Sequence, residues 1–500
     1  MRGRSQPLAQ RAAIGAAVAL AGTLALTRGL PGQGVRGELR VRGDFLELQG
    51  LEVDSVAASG VAGDPLLRRL PDGTIALCVP NDFCRWRRSG ADEWIRPVSQ
   101  ELRLVAWPGV RGVSARVHLR GRYASDGAWP RAEQEIDAIS AYVSLDRSEF
   151  RVRAGRQFRA SPLGYANFDG ASFLWRAFRP VRIEAYGGWS LGIGLNGPRD
   201  GSLLEAADAL APDRRSLVYG LELGARLGHD ISGSAEYRRE IRTDRLALTS
   251  ERLALSGRAL LGRVSLDGAA TLDLALGEID EASLRADLPV GRTVRLTLRA
   301  RHYVPFFELW TIWGAFSPVG FDEGEAIVSW RPIGPPWRIE VGGAYRGYGA
   351  PGAGTSFQRL RDDGWRAFAT LAWSRGDWWA EGTYRAETGF GAARYGGDAL
   401  VGRRLGSTGG LILRATSTRT LGEFRRGRQL ATGGGAEGYL TVEPFELSAG
   451  IAAYRMTSGG RPALEDWTQV RMHAGLAYRF GTGMPSGAGR PPLGPGGREP

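Results

Sequence analysis

The run Val470-Arg-Met-His-Ala-Gly-Leu-Ala-Tyr-Arg-Phe480 alternates without a break. Val470, Met472, Ala474, Leu476, Tyr478 and Phe480 share one side, while Arg471, His473, Gly475, Ala477 and Arg479 share the other. A β-strand has a side-chain period of two, so this segment is apolar on one face and cationic on the other. The pattern recurs along most of the chain. Val113, Ala115, Val117 and Leu119 oppose Arg116, His118, Arg120 and Arg122; Val294, Leu296, Leu298 and Ala300 oppose Arg295, Thr297, Arg299 and Arg301. Leu217 to Leu227 set against Glu222 and Arg226, Val264 to Leu276 set against Asp267 and Asp273, and Trp365 to Trp373 set against Arg366 and Thr370 repeat it. Each run is about 9–13 residues long, enough for a tilted strand to cross a bilayer. An apolar face all round and a wet polar face within is the pattern of a barrel wall in lipid.

The connections alternate too. Short links at 107–109, 146–148, 178–180, 291–293, 333–336, 376–377 and 443–444 take turns with longer ones at 124–135, 158–166, 192–215, 305–322, 350–363, 421–428 and 458–467. Short periplasmic turns and longer external loops are the habit of outer-membrane barrels. The expectation is therefore an all-β, transmembrane, antiparallel up-and-down β-barrel over 35–480, with about 22 strands (range 18–24). The strand at 468–480 should close it against the one near Leu39–Leu48. Residues 52–97 are expected as an external loop segment, a small internal plug being the alternative. Residues 481–500, rich in Gly and Pro, read as a disordered periplasmic tail.

The N-terminus reads as an export signal over 1–34. Arg2, Arg4 and Arg11 precede an apolar stretch from Ala12 to Leu26, with cleavage near Ala21–Ala25 or Gly32–Gly34; an uncleaved anchor is the alternative. The only cysteines, Cys78 and Cys84, bracket a Pro-Asn-Asp turn, which suits a disulfide in an oxidising compartment better than a metal site lacking further ligands. The formal charge is +12, all of it from arginine, as the chain has no lysine. Spread at alternate strand positions, these arginines do not form the clustered patch that nucleic acid requires. The 73 glycines fall inside strands and turns, as expected for a curved, closely packed wall.

The stretch Arg153-Ala-Gly-Arg-Gln157 followed by Phe168-Asp-Gly170 resembles a signature of large Gram-negative porins, including the alginate-export type. The likeness covers about 20 residues. It implies a porin-like outer-membrane barrel and gives no substrate.

The pattern assigns a pore lining to Arg116, His118, Arg120, Arg122, Arg151, Arg153, Arg295, Arg299, Arg301, Arg338 and Arg471, with Glu222, Asp267 and Asp273. A basic arc beside an acidic one would select among ions; pairing across strands would merely stiffen the wall. The aromatic segment 305–322 is too apolar for a solvated loop. It either extends two strands through an aromatic girdle, contacts a neighbour, or folds inward and brings Glu308, Asp322 or Glu323 to a constriction. Four histidines, none beside a serine or carboxylate pair at catalytic spacing, and no phosphate loop or metal cluster argue against an enzyme or a cofactor. The expected function is a channel for small polar, anionic solutes, with membrane lipid as its surroundings. The alternative is an occluded barrel, homo-oligomeric or binding another protein through its external loops.

Overall fold

The computed structural model describes residues 33–57, 67–69, 75–78, 83–124, 136–176, 180–194, 209–210, 216–243, 246–304, 320–349, 363–389, 392–423, 427–459 and 466–481. Residues 1–32 of the expected export signal, all of 305–319 with Glu308, and the tail beyond Gly481 lie outside the described residues, while Gln33 and Gly34, the signal's last two expected positions, are the first residues of a strand.

In chain order the strands are β1 (Gln33–Ala57), β2 (Leu67–Arg69), β3 (Ile75–Cys78), β4 (Phe83–Ile95), β5 (Pro97–Pro108), β6 (Val113–Ala124), β7 (Ile136–Asp146), β8 (Phe150–Ser161) and β9 (Gly164–Trp175). Then come β10 (Val181–Gly194), β11 (Ala209–Leu210), β12 (Ser216–Leu227), β13 (Ile231–Arg242), β14 (Ala247–Leu261), β15 (Val264–Asp273), β16 (Glu278–Val290) and β17 (Val294–Tyr303). The remainder are β18 (Phe321–Trp330), β19 (Trp337–Tyr348), β20 (Asp363–Arg375), β21 (Trp378–Gly389), β22 (Ala392–Leu405), β23 (Gly409–Glu423), β24 (Gly427–Val442), β25 (Phe445–Gly459) and β26 (Trp467–Gly481). Every pairing is antiparallel, and β26 returns to β1 in register from Arg36↔Gly481 to Leu46↔Arg471. Leaving aside β2, β3 and β11, and taking β4 with β5 as one strand interrupted at Arg96, the sheet is a closed up-and-down barrel of 22 strands. Closure leaves no edge, which is what an all-β chain needs in lipid.

The first hairpin outruns the barrel. The β1–β5 ladder from Gln33↔Pro108 to Gly43↔Val98 continues in the same register into β1–β4 from Leu46↔Ile95 to Gln49↔Asp92, then slips by one residue at a bulge and runs from Leu51↔Ser89 to Ala57↔Phe83. Most of the stretch expected as loop over 52–97 is therefore ladder, and the two strands run past the last β26 pairing at Leu46. Cys78 and Cys84 are direct register partners between β3 and β4, and Cys84 is fully buried. The loops expected at 158–166 and 421–428 are also largely strand. β8 and β9 meet at a turn over Pro162 and Leu163, and β23 runs to Glu423 before β24 begins at Gly427.

Both chain ends of the barrel lie with the short turns. Gly228, Gly262, Gly291, Gly376 and Gly406 sit in these turns with φ between +59° and +75°, where a side chain would be strained. Just above them the outward face carries Trp330, Trp337, Trp373, Trp378 and Phe445, all exposed or in ring contact, as with Trp337 tilted against Trp373 at 6.3 Å and Phe445 stacked on Tyr478 at 5.1 Å. Higher up, Leu221, Leu223, Leu284, Val341, Ile451 and Leu476 are exposed on the same outward face. A belt of aromatics at one rim of an apolar band is the mark of a barrel set in a membrane. The chain is an outer-membrane-type β-barrel.

Many strand glycines serve as seats for rings. A Cβ on Gly37 would lie 2.3 Å from the Phe480 ring, on Gly342 2.4 Å from Phe368, on Gly402 2.2 Å from Trp379, and on Gly433 2.3 Å from Tyr454. Each is the direct cross-strand partner of that aromatic. The ring lies flat over the bare backbone opposite it, keeping large side chains close to the wall.

Candidate functional site: an inward hairpin in a charged lumen

Arg159 on β8 fixes which face points inward. Its guanidinium meets Glu184 on β10 at 3.2 Å, Glu222 on β12, and Glu236 on β13 at 3.2 Å. Four strand steps separate β8 from β13, roughly 19 Å along the wall, so these contacts run through the barrel interior. Cross-strand partners share a face, and Glu236 pairs with Glu222, Glu222 with Glu184, Glu184 with Leu174, and Leu174 with Arg151. The same chain of partners continues round the barrel.

On that inner face lie Arg116, His118, Arg120, Arg122, Arg151, Arg153, Arg295, Arg299, Arg301, Arg338, Arg471, Glu222, Asp267 and Asp273. The structure does not gather them at one level; it spreads them around the wall. Several are held by neighbours. Arg299 meets Glu325 at 3.0 Å, Arg301 meets Glu281 at 2.9 Å, Arg338 reaches Glu381 at 3.4 Å, and Arg471 donates to Gln469 at 2.7 Å. His118 lies 3.3 Å from Glu101, which also takes Arg103 at 2.9 Å. Asp273 is buried and accepts from the backbone N–H groups of Ala275 and Leu276, capping its own turn. By contrast, Arg116, Arg153 and Arg295 have no ion pair among the described residues. Arg153 instead lies over the Tyr142 ring at 5.2 Å, with its Nε buried and unbonded.

Of the residues expected at a constriction within 305–322, Glu323 is on the inner face, joined to Arg346 at 2.5 Å and Arg366 at 3.1 Å. Asp322, one residue earlier, points outward and pairs with His302 at 2.7 Å. A strand's alternation cannot send both to the lumen.

Among the described residues, the element that enters the lumen is a different one. The β7–β8 ladder ends at Ala141↔Arg156 and the β9–β10 ladder at Asn167↔Gly192, whereas β8 and β9 stay paired to Ser161↔Gly164. Above those points the hairpin tip leaves both neighbours and leans inward. At its tip the Leu163 carbonyl accepts from Arg238 on β13 and from Arg252 on β14, the latter at 3.2 Å. Leu163 is 1% exposed, although it occupies a turn.

The base of the tip is packed as a small core. Phe168 is 1% exposed and stacks on Tyr186 at 5.6 Å, with Val218 beside them. Burying a phenylalanine of this kind is worth roughly 1.5–3 kcal/mol. Arg159 lies over the Tyr186 ring at 4.6 Å, and the Tyr186 hydroxyl donates to Glu236 at 2.9 Å. Gln157 donates to the Gly170 carbonyl and accepts from Ser172. Across the hairpin's outer face, Arg156 and Asp169 form a two-pronged ion pair at 2.8 and 2.9 Å. Gly155, Gly170 and Gly188 are successive register partners, and a Cβ on Gly170 would lie 2.0 Å from the Gly187 carbonyl. The porin-like stretch over 153–170 is thus the root of the inward hairpin.

The opposite wall mixes short and long side chains on the same face. Gly433, Gly435, Gly450 and Gly475 are inner residues of β24, β25 and β26, but Tyr454 lies over Gly433 and His473 over Gly450, and Arg414 pairs with Glu437 at 3.2 Å beside them. The β22–β26 ladders stay paired along their described length, so on that side the side chains keep to the wall.

No protein-family model matches the chain, and no curated protein matches it. Solved structures do resemble it in form. Pseudomonas aeruginosa OccK3 (OpdO) is 10% identical with TM-score 0.37, over 90% of this chain and 96% of that one. Acinetobacter baumannii OccAB2 is 9% identical with TM-score 0.39, over 89% and 98%. The translocation pore of the P pilus usher PapC is 9% identical with TM-score 0.40, over 91% and 100%.

Proposed function

We propose that this porin-like barrel is an outer-membrane channel through which small polar solutes diffuse, anions in preference to cations. The reading rests chiefly on one observation: a closed barrel whose polar inner face is crossed on one side by the β8–β9 hairpin, while on the other its rings and charges keep to the wall over glycines. A lumen of this kind holds water beside the hairpin. The hairpin is the constriction, and Arg159 is the residue that holds it. Arg116 and Arg153, which lack carboxylate partners among the described residues, supply the uncompensated positive charge that favours anions; Arg120, Arg151, Arg299 and Arg301 add a balanced background. Export through 1–34 and a cystine between Cys78 and Cys84 belong to the same reading, the latter supported by their register pairing and the burial of Cys84.

The test is a planar-bilayer recording of the folded protein in a KCl gradient. Wild type should conduct with a reversal potential on the chloride side, and Arg116→Ser with Arg153→Ser should move it toward the potassium side. A correctly folded barrel with no conductance would overturn the channel. A reversal potential that the double variant leaves in place would overturn the assigned selectivity.

A further inference from the structure

A second recess lies in the lumen wall toward the short-turn end, away from the hairpin's tip. One row of inner residues, taken partner by partner from β12 to β16, reads Gly224, Ser234, Ser256, Ala269, Ser283. The row on its tip side carries Glu222, Glu236 and Glu281, and the row on its turn side reads Arg226, Ser232, Arg258, Asp267, Arg285. Where the rows on either side project arginine and carboxylate, this row of the five strands projects only short side chains. The result is a bay four strand spacings wide, roughly 19 Å, and it coincides with a cavity of about 730 Å³. Such a volume is in the range that holds a small organic ligand.

The lining says what kind. Among its described residues there is no aromatic ring, so nothing there favours a stacked base or an apolar body. Hydroxyls line the back, with Ser234 and Ser256 at 2.7 Å from each other. Arg226, Arg258 and Arg285 stand on the turn side, and at the bay's β10 edge Arg182 lies over Gly224, held by Glu222 at 2.6 Å. Arg285 is held by Asp287 at 2.8 Å, but Arg258 is largely exposed and only 3.5 Å from Asp267, and Arg226 has no ion pair among the described residues. Arg226 and Arg258 are both partners of Ser232, one from each side. That places two arginines on strands about 10 Å apart with a hydroxyl-bearing residue between them, an arrangement suited to an oxyanion.

We infer that this bay is a solute-binding site for a small polyhydroxylated oxyanion, a phosphate ester or carboxylate of a polyol. Its anionic group sits between Arg226 and Arg258 over Ser232, and its hydroxyls lie along Ser234, Ser256 and Ser283. The inference rests on the channel reading for its purpose but not for its chemistry, so the two fail separately.

Titration calorimetry on the detergent-folded full chain tests it with glucose 6-phosphate, gluconate, inorganic phosphate and glucose. Glucose 6-phosphate or gluconate should bind at least tenfold more tightly than glucose or phosphate alone, and the better of the two identifies the head group. Arg226→Ser with Arg258→Ser should weaken that binding at least tenfold. Ser234→Leu with Ser256→Leu, which fills the bay and leaves the arginines, should do the same. Wild type needs no variant for a further check, because affinity should fall as KCl is raised from about 0.1 to 1 M. Binding of neither ligand, equal binding of glucose, or affinity indifferent to salt overturns the site. Binding to a barrel that passes no current retains the site and removes the channel.

Discussion

Replacing Arg159 with alanine tests the hairpin as a constriction. In the wild type one guanidinium, its side chain 15% exposed, serves Glu184, Glu222 and Glu236, the last with its side chain 4% exposed. Removing one partner of a buried ion pair costs roughly 3–5 kcal/mol, because the other charge stays buried. All three carboxylates keep a second partner: Arg151 lies 3.8 Å from Glu184, Arg182 holds Glu222 at 2.6 Å, and the Tyr186 hydroxyl holds Glu236. The lower end, about 3 kcal/mol, is therefore the better figure. At about 1.4 kcal/mol per factor of ten, the population with the tip withdrawn from the wall should rise roughly a hundredfold. The tip still has Arg238 and Arg252 on the Leu163 carbonyl, so it should flicker and not detach. Single-channel recordings should then show a larger mean conductance with added open-channel noise, in a barrel whose heat-modifiable gel migration is unchanged. Adding Glu236→Gln removes the charge left stranded deepest and should quieten the noise again. Wild-type conductance and noise in a properly folded Arg159→Ala barrel would refute the constriction, and with it the inward role given to β8 and β9.

Two further outcomes follow from the same geometry. Gly170→Ala places a methyl 2.0 Å from the Gly187 carbonyl, where only backbone can yield; the β9–β10 ladder should open, and the barrel should lose its heat-modifiable band at a temperature below wild type, whereas Gly343→Ala, whose nearest neighbour lies at 3.7 Å, should leave it in place. Oxidised protein should resist thiol labelling at both Cys78 and Cys84 until reduced, and labelling of unreduced, folded protein at either position would remove the cystine.

The barrel was legible because its rule is local. Alternation of apolar and polar residues needs only neighbouring positions, so the faces of Leu217–Leu227 or Val294–Arg301 can be read without knowing what they pair with. Closure of the last strand on the first follows once both strands have the same rule. Strand ends were harder to read. Residues 52–97 carry Pro and Gly and look like loop, yet β1 and β4 stay paired out to Ala57↔Phe83, past a bulge at Gln49/Leu51. The glycine content was legible only in part. A curved wall explains some of it, but the seats at Gly37, Gly342 and Gly402 appear only when the register sets Phe480, Phe368 and Trp379 opposite them.

The inward hairpin was not legible for a physical reason. Arg159 obeys the same alternation as Arg151 and Arg153, and nothing at its own position distinguishes a side chain that lines the wall from one that crosses the lumen. What sends it across is the ending of two ladders, at Ala141↔Arg156 and Asn167↔Gly192, and a ladder's end depends on strands far away in sequence. One local signal was present: a leucine between Pro162 and Gly164 at the tip of a turn. An exposed leucine there would serve little, and a buried one requires a surface to meet. The aromatic segment at 305–322 offered a louder version of that signal, and only Val304, Gly320 and the strand residues flanking it are described. Apolar residues at a turn thus mark where a barrel hairpin has a partner, but the arginines and carboxylates that receive it determine which one. Here Glu184, Glu222 and Glu236 stand on one face of three adjoining strands, and an acidic patch of that kind in a lumen otherwise rich in arginine calls for a cation from elsewhere.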